Sequence, residues 1–523
     1  MRRRSTWLTR RRAGAITGIA VAIVALAAGE LLAGLVAAPA SPVLAVGQTL
    51  IDASPEWLKS FAIQTFGSND KTALIAGILV VLAVASAGLG IAAANRPSVG
   101  YMGLAALGGL GAVAALARPD SHPSWALPSV FAAIAGAGAF ASLRRAADGE
   151  APAGAARDAW KSGAEEPAGF DRRRFLRASL ALGTLALAAD RLGDFLENRR
   201  LAVASRTSVG VPSPTSPAGP LAAGARLDVP GLSPFFTPDE DFYRVDTTLF
   251  VPHLRAEDWR LRIHGMVERE IRLNFEALLA RPMIERDITL NCVSNEVGGP
   301  YIGNARWIGT PLKPLLDEAG VLPGANQIVS RSVDGMTIGT PTAVALDGRD
   351  SMLAVAMNGQ PLPFEHGFPV RMLVPGLYGY ESATKWVVDI ELTTLSAYDA
   401  YWVRRGWAQV APIKTASRID TPRDAAAVGE GVVPVAGVAW AQHRGVRRVE
   451  VRVDGGPWNE ATLATTDTVD TWRQWVWRWQ AAAGQHSLEV RATDGTGAIQ
   501  TQQPASPFPN GSSGWHRIVV TVE

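Results

Sequence analysis

Four apolar runs, at roughly Ala13 to Ala38, Thr72 to Ala94, Tyr101 to Ala117 and Trp125 to Leu143, constrain this chain more than any other feature in it. A bilayer core about 30 Å thick takes ~20 residues of helix to cross, and each run but the short third reaches that length. Inside lipid only helices and closed barrels satisfy every backbone group, so runs of this kind read as spans. Flanking charge supplies a direction, because cytoplasmic loops collect Arg and Lys. "MRRRSTWLTRRR" precedes the first run, Arg96 separates the second from the third, and Arg144 with Arg145 follows the fourth. The segment from Ser41 to Lys71, with Asp52, Glu56, Asp70 and two lysines, would face outward. Only Glu30 is ionisable within a span, which favours anchoring or assembly over transport. Runs such as "GLAALGGLGAVAALA" suit close helix packing.

The rest of the 523 residues has the charge, Trp and turn content of globular domains. A net charge of +2 and the lack of a basic, aromatic-interleaved run give no support to nucleic-acid binding. The seven histidines all lie outside the four runs, which argues against a membrane haem held by paired histidines. Cys292 is the single cysteine, so no intramolecular disulfide staples the fold.

"DRRRFLRASLALGTLALAAD", residues 171 to 190, reads as a twin-arginine export signal in the interior of the chain. The same arginines also suit an ordinary stop-transfer helix. Phe175 to Ala189 is a fifth, weaker apolar segment, and "RTSVGVPSPTSPAGPLAAG" after it reads as a flexible linker.

"DITLNCVSNEVGGPYIGNARWIGTPLKPLLDEAG" begins as a strand, Ile288 to Cys292, breaks into a Gly/Asn-rich loop and resumes as an amphipathic helix from Pro311. A thiol at a strand end beside loop amides is placed to act as a thiolate ligand or nucleophile. With "MNGQPLPFEHGFPVRMLVPGLYGYESATKWVVDIEL" downstream, the stretch from about Phe235 to Leu395 resembles the molybdopterin domain of the sulfite oxidase family. "PIKTASRIDTP" and the residues after it resemble that family's immunoglobulin-like dimerisation domain.

The resemblance implies a Mo-molybdopterin cofactor, one pterin per Mo, with Cys292 as the metal's thiolate; a soft thiolate suits a redox metal. It implies cofactor contacts from Tyr243, Arg244, His366, Arg371, Ser382, Ala383, Thr384 and Lys385, with Arg244 also drawing an anionic substrate towards the metal. Arg371 offers a planar charged fork to the pterin phosphate, and Lys385 an ammonium. His366 capping a turn and Lys385 as a solvated charge are the plainer alternatives. Arg306 matches the family pattern as a pocket residue or as a support for the loop. Two positions depart from it: Met336 stands where sulfite oxidases place a tyrosine, and Glu296 where they place an arginine. Both changes weaken the case for a dianion such as sulfite.

Beyond Pro412, "GVVPVAGVAWA", "VRRVEVRVDGG", "WRQWVWRWQA", "HSLEVRATDG" and "WHRIVVTVE" alternate as strands of an antiparallel sandwich, with Trp475, Trp477 and Trp479 on one face. The expected architecture is multi-domain: a transmembrane helical region (1–145), a linker with the twin-arginine-like segment (146–225), an α+β molybdopterin domain (226–400) and an all-β immunoglobulin-like sandwich (401–523).

The expected function is membrane-anchored, two-electron oxygen-atom transfer by a molybdenum-dependent oxidoreductase on the outer side of the cytoplasmic membrane. Its substrate would be a small oxyanion or a sulfoxide. No haem domain is attached, so a separate electron-transfer protein is required, and a homodimer is implied by the last domain. The alternatives are a sulfite dehydrogenase proper and a non-catalytic binding module that retains the fold. A cofactor inserted into a folded domain explains an internal twin-arginine signal, since that route carries folded protein. Replacing Arg172 and Arg173 by lysine is expected to strand the C-terminal region inside the cell, read as lost accessibility to external protease.

Overall fold

The computed structural model describes residues 2–36, 40–55, 58, 70–118, 121–147, 198–248 and 250–523. The twin-arginine-like stretch and the fifth apolar segment lie outside the described residues. Two compact units emerge, one comprising the helices of the first 198 residues and a short stretch at 247–250, the other Arg199–Asp246 and Val251–Glu523.

The first unit contains α1 (Arg2–Val36), α2 (Pro42–Ala53), α3 (Asp70–Ala93), α4 (Pro97–Leu116) and α5 (Leu127–Ala147). Four segments, Arg11–Val36, Ala73–Ala93, Pro97–Leu116 and Pro123–Arg144, are long and apolar enough to cross a membrane. Small residues set the crossing of α1 and α3: a Cβ on Gly18 would collide with the Ser86 carbonyl, and one on Gly90 with the Gly14 carbonyl. The two glycines four apart on α1 therefore face Ser86 and Gly90 on α3, the spacing that lets helix backbones touch. Val80, Val81, Val84, Met102 and Ile134 are 62–70% exposed, an outer surface suited to apolar surroundings. Helix α2 was not expected; its signal is Ser41, whose hydroxyl accepts the Leu44 N–H at 3.2 Å ahead of a first-turn proline.

The second unit carries two sheets ahead of residue 400. One, in the order β2-β1-β10-β5-β6, is built from β1 (Arg260–Gly265), β2 (Ile271–Asn274), β5 (Gln327–Ser332), β6 (Thr337–Pro341) and β10 (Val387–Thr393). Here β1 runs parallel to β10, with Arg262 opposite Asp389. The other, in the order β3-β4-β7-β8, holds β3 (Ile284–Asn291), β4 (Ile302–Pro311), β7 (Met352–Met357) and β8 (Gln360–Pro361), and β9 (Arg371–Leu373) pairs with β7. Strand β4 corrects the sequence reading, which gave the stretch before Pro311 to a loop. It pairs with β3 along its length, from Ile284 opposite Gly309 to Asn291 opposite Ile302. All but two of its residues are buried, so it shows no polar alternation to read. The amphipathic helix follows as α6 (Leu312–Ala319), burying Leu312, Leu315 and Leu316.

After residue 400, β11 (Ala416–Thr421), β13 (Gly431–Trp440), β16 (Thr462–Leu463) and β17 (Arg473–Ala481) form one sheet. A second sheet has β12 (Ala427–Val428), β14 (Val446–Val453), β15 (Asn459–Glu460), β18 (Gly484–Asp494) and β19 (His516–Val522). A single apolar cluster draws on both: Val435, Trp475 and Trp479 from the first, Val449, Leu488 and Val520 from the second. Trp477 packs against it partly buried.

Both expected boundaries are crossed by hydrogen bonds. The supposed flexible linker is docked: Arg206 donates to the Pro361 and Leu362 carbonyls at 2.8 Å, the Thr215 N–H reaches the Met283 carbonyl at 2.8 Å, and Ser216 bridges Ile284. Its Pro/Ser/Gly composition hid this because the bonds end on main-chain carbonyls far away in sequence. Nor do residues 226–400 and 401–523 separate. Thr289 of β3 accepts the Trp472 N–H at 2.7 Å, the Gln442 amide donates to the Thr289 carbonyl at 3.2 Å, and the Trp472 indole donates to the Phe235 carbonyl at 3.0 Å.

The connection between the halves is also tied to α7 (Gly379–Ser382), where both carboxylate oxygens of Glu381 accept the Ala411 N–H, at 2.9 and 2.8 Å. Burial pushes this carboxyl up to about 8. Between pH 4.5 and about 8 the folded chain keeps a proton that the unfolded chain releases, so stability falls as pH rises through that window. Glu381→Gln is expected to flatten this decline, measured as urea unfolding midpoints of the full chain across those pH values.

Candidate functional site

The β3–β4 hairpin presents Cys292 immediately after the last ladder residue of β3. The Cys292 N–H still bonds the Tyr301 carbonyl at 3.0 Å, and the loop then turns on itself. Asn295 closes it: its N–H reaches the Cys292 carbonyl at 3.1 Å and its Oδ1 accepts the Tyr301 N–H at 2.8 Å. Cys292 is 7% exposed. Among the described residues no group of three or more His, Cys, Asp or Glu side chains is arranged to hold a metal, so a metal at this thiol would need ligands from elsewhere.

Two tyrosines flank the thiol. The Tyr243 and Tyr378 phenols are pushed upward by burial, Tyr378 to about 12, and in both a Cys292 thiolate adds to the rise. Both hydroxyls therefore stay protonated, and that of Tyr378 accepts the Lys414 N–H at 3.4 Å. Tyr378 was not singled out from the sequence, although it lies within "GLYGYES".

Arg371, at the start of β9, is 5% exposed. Its Nη1 donates to the His366 carbonyl at 3.2 Å and its guanidinium lies 5.1 Å from the Trp307 ring centroid. Its Nε is buried without a partner, and among the described residues no carboxylate pairs with it. Burial lowers it to about 10, which leaves it cationic at neutral pH. His366 donates from Nε2 to the Asp239 carbonyl at 3.0 Å and packs edge-on against Phe242, 5.5 Å between centroids. Burial first, then the Arg371 charge, depress it to about 4, so the imidazole is neutral.

The Ser382–Lys385 segment is laid alongside β9 by backbone bonds from Met372 to the Thr384 carbonyl, 2.9 Å, and from Val374 to the Ser382 carbonyl, 3.1 Å. Ser382 donates to the Leu377 and Tyr378 carbonyls at 3.0 Å, Thr384 shares a 2.5 Å bond with Ser330, and the Ala383 N–H reaches the Gly379 carbonyl at 3.0 Å. Gly367, at φ +109, passes so near Lys385 that a Cβ there would sit 3.1 Å from the Lys385 Cα. The Lys385 ammonium, not a solvated charge, bonds Asp246 at 2.7 Å, and Arg244 bonds the same carboxylate oxygen at 2.8 Å. Asp246, 4% exposed at its side chain, thus joins two predicted cations and was missed for lack of any motif.

The three pocket candidates fall differently. Arg306 grips Asp287 through two 2.7 Å hydrogen bonds across the hairpin, which is the supporting role weighed from sequence rather than the pocket one. Met336 sits at the tip of the β5–β6 hairpin, whose Val333 N–H bonds the Trp386 carbonyl at 3.0 Å beside Lys385. Glu296 is exposed on the Cys292 loop.

Residues 248–402 match the oxidoreductase molybdopterin binding domain family. Mitochondrial sulfite oxidase of Mus musculus is 31% identical over 341 residues, covering 55% of this chain and 62% of that protein. Sulfite oxidase of Gallus gallus is 30% identical over 337 residues, covering 54% of this chain and 72% of that protein. The uncharacterized oxidoreductase YuiH of Bacillus subtilis is 34% identical over 149 residues, covering 28% and 72% respectively. The chain thus spans about three fifths of the length of the mouse relative. With its thiol, buried guanidinium and neutral histidine gathered in the matched region, this chain belongs to the sulfite oxidase family of molybdopterin-dependent oxidoreductases.

Proposed function

We propose that the chain is a membrane-anchored enzyme that holds a molybdenum cofactor through Cys292 and carries out two-electron oxygen-atom transfer outside the cytoplasmic membrane. The observation that carries this reading is Arg371. A buried guanidinium with no carboxylate partner and an unsatisfied Nε is costly unless an anion arrives, and the pterin's phosphate is such an anion. The residues present fit the group: one thiol for the metal, one uncompensated buried cation for the phosphate, and the Lys385 ammonium beside it. When bound, the cofactor supplies a metal centre able to exchange an oxygen atom and two electrons.

The chain's own residues then have separable tasks. Cys292 ligates as the thiolate, held by the Tyr301 and Asn295 bonds. Arg371 and Lys385 bind the anion, while His366 stays neutral and adds no further positive charge. Tyr243 and Tyr378 keep their protons at any physiological pH, so neither adds a negative charge to that of the thiolate. Arg244, anchored by Asp246, is the cation assigned to the substrate.

With Met336 and Glu296 in place of a hydroxyl and a cation, the substrate we favour is a sulfoxide or a small oxyanion other than sulfite, with electrons carried by a separate protein. The C-terminal sheets serve as an immunoglobulin-like dimerisation domain in this reading, and the four N-terminal helices as the anchor. The mouse and chicken relatives named as sulfite oxidases favour sulfite dehydrogenation as the second reading.

Metal analysis of the purified chain is expected to find molybdenum, lost in Cys292→Ser; a metal-free wild type would overturn the proposal. Arg371→Met is expected to retain about a tenth or less of the cofactor, the scale of one lost charge-assisted bond, measured as pterin released on denaturation. Dye-coupled assays with sulfite and with sulfoxides separate the two substrates.

A further inference from the structure

The Cys292 loop is gripped from the far end of the sequence. Ser512 donates its hydroxyl to the Asn295 carbonyl at 2.6 Å, and Arg418 donates to the Gly299 carbonyl at 2.8 Å. Between these two anchors the His516 ring lies against Gly298, whose φ is +79 and on which a Cβ would collide with the ring. His516 opens β19, and its Nδ1 accepts the Ile419 N–H of β11 at 3.0 Å. That acceptor role leaves Nε2 as the protonated nitrogen, turned towards the loop. The ring therefore links one strand from each C-terminal sheet to the cysteine loop. Arg418 is itself fixed by Asp420 at 2.6 Å and donates to Ser233 at 3.0 Å, so the grip has a rigid base.

We infer that His516, assisted by Ser512 and Arg418, is a positioning residue for Cys292, so that the C-terminal sheets and not the matched region alone fix the conformation of the Cys292–Pro300 loop. Their bonds and contacts fall on Asn295, Gly298 and Gly299, and Asn295 in turn bonds the Cys292 carbonyl and the Tyr301 N–H. The functional weight of the inference rests on Cys292 as the metal's thiolate, but its physical content does not.

Because Cys292 is the only cysteine and is 7% exposed, a thiol reagent added to the full chain produced without molybdenum reports on this one loop, and reaction requires the loop to open. Ser512→Ala and His516→Ala are each expected to speed labelling about tenfold, the scale of one lost hydrogen bond, with matching faster amide exchange across 292–301. His516→Asn, whose Oδ1 can take the Ile419 N–H, is expected to recover part of the slow rate. His486→Ala, a histidine of the same sheets that bonds Asp454 and Ala482 instead, is the control expected to label at the wild-type rate. Labelling in Ser512→Ala and His516→Ala within twofold of wild type overturns the inference, as does an acceleration matched by an equal loss of global stability in urea. Should His516→Ala fail to fold, Ser512→Ala, which removes one hydroxyl, decides the matter. Metal-free wild type would sink the proposed function while leaving the labelling difference intact, whereas amide exchange across 292–301 left unchanged by Ser512→Ala and His516→Ala in a molybdenum-loaded chain would sink only this inference.

Discussion

A cation kept out of water without a counter-charge is the constraint around which this site is arranged. Arg371 is surrounded by groups that bring no negative charge near it: the Trp307 ring, the His366 carbonyl and an imidazole held neutral. Had a carboxylate been placed there, the pair would have been satisfied internally, and nothing would be left to attract an anion. The nearby cations Lys385 and Arg244 are treated in the opposite way, sharing one oxygen of the buried Asp246. Arg371 thereby keeps its whole charge for a ligand, while the single charge of Asp246 positions Lys385 and Arg244 and leaves that trio net positive.

The second organising relation is between the two halves of the large unit. Thr289, three residues before the thiol, takes a hydrogen bond from Trp472 and gives one to Asn304 of β4. Phe235, Val293, Tyr378, Tyr380, Ile413, Val438 and Trp440 share one apolar cluster, with residues from before and after position 400. A domain defined by sequence similarity alone, ending at residue 402, cuts through this packing. Tyr378 and Glu381 sit on that shared face, which is why their roles surface only when both halves are in view.

Much of this was legible in the sequence because the signals were local. The four apolar runs became four long helices, and the alternating runs after Pro412 became β13, β14, β17, β18 and β19. Tyr243, Cys292, His366 and Arg371 were proposed from motifs, and the fold does bring them together. What escaped was carried by backbone or by distant partners. Strand β4 has both faces buried and so shows no period. The stretch from Arg206 to Ser216 docks onto distant main-chain carbonyls, which its composition does not announce. Asp246, Ser512 and His516 matter through residues far away in sequence, and no spacing rule points to such pairs. Arg306 carried a family position, yet its chemistry is fixed by Asp287 across the hairpin.

The parallel pairing of β1 with β10 bears on how such a chain is made. Arg262 meets Asp389 only after more than a hundred intervening residues have been synthesised, and Ile419 meets His516 across a separation of 97. Contacts of such separation form late and slowly, since loop closure must precede any gain from them. Shaping of the cysteine loop thus waits on pairings nearly as long as those that close the sheets themselves, and the site takes its form with the whole unit rather than ahead of it.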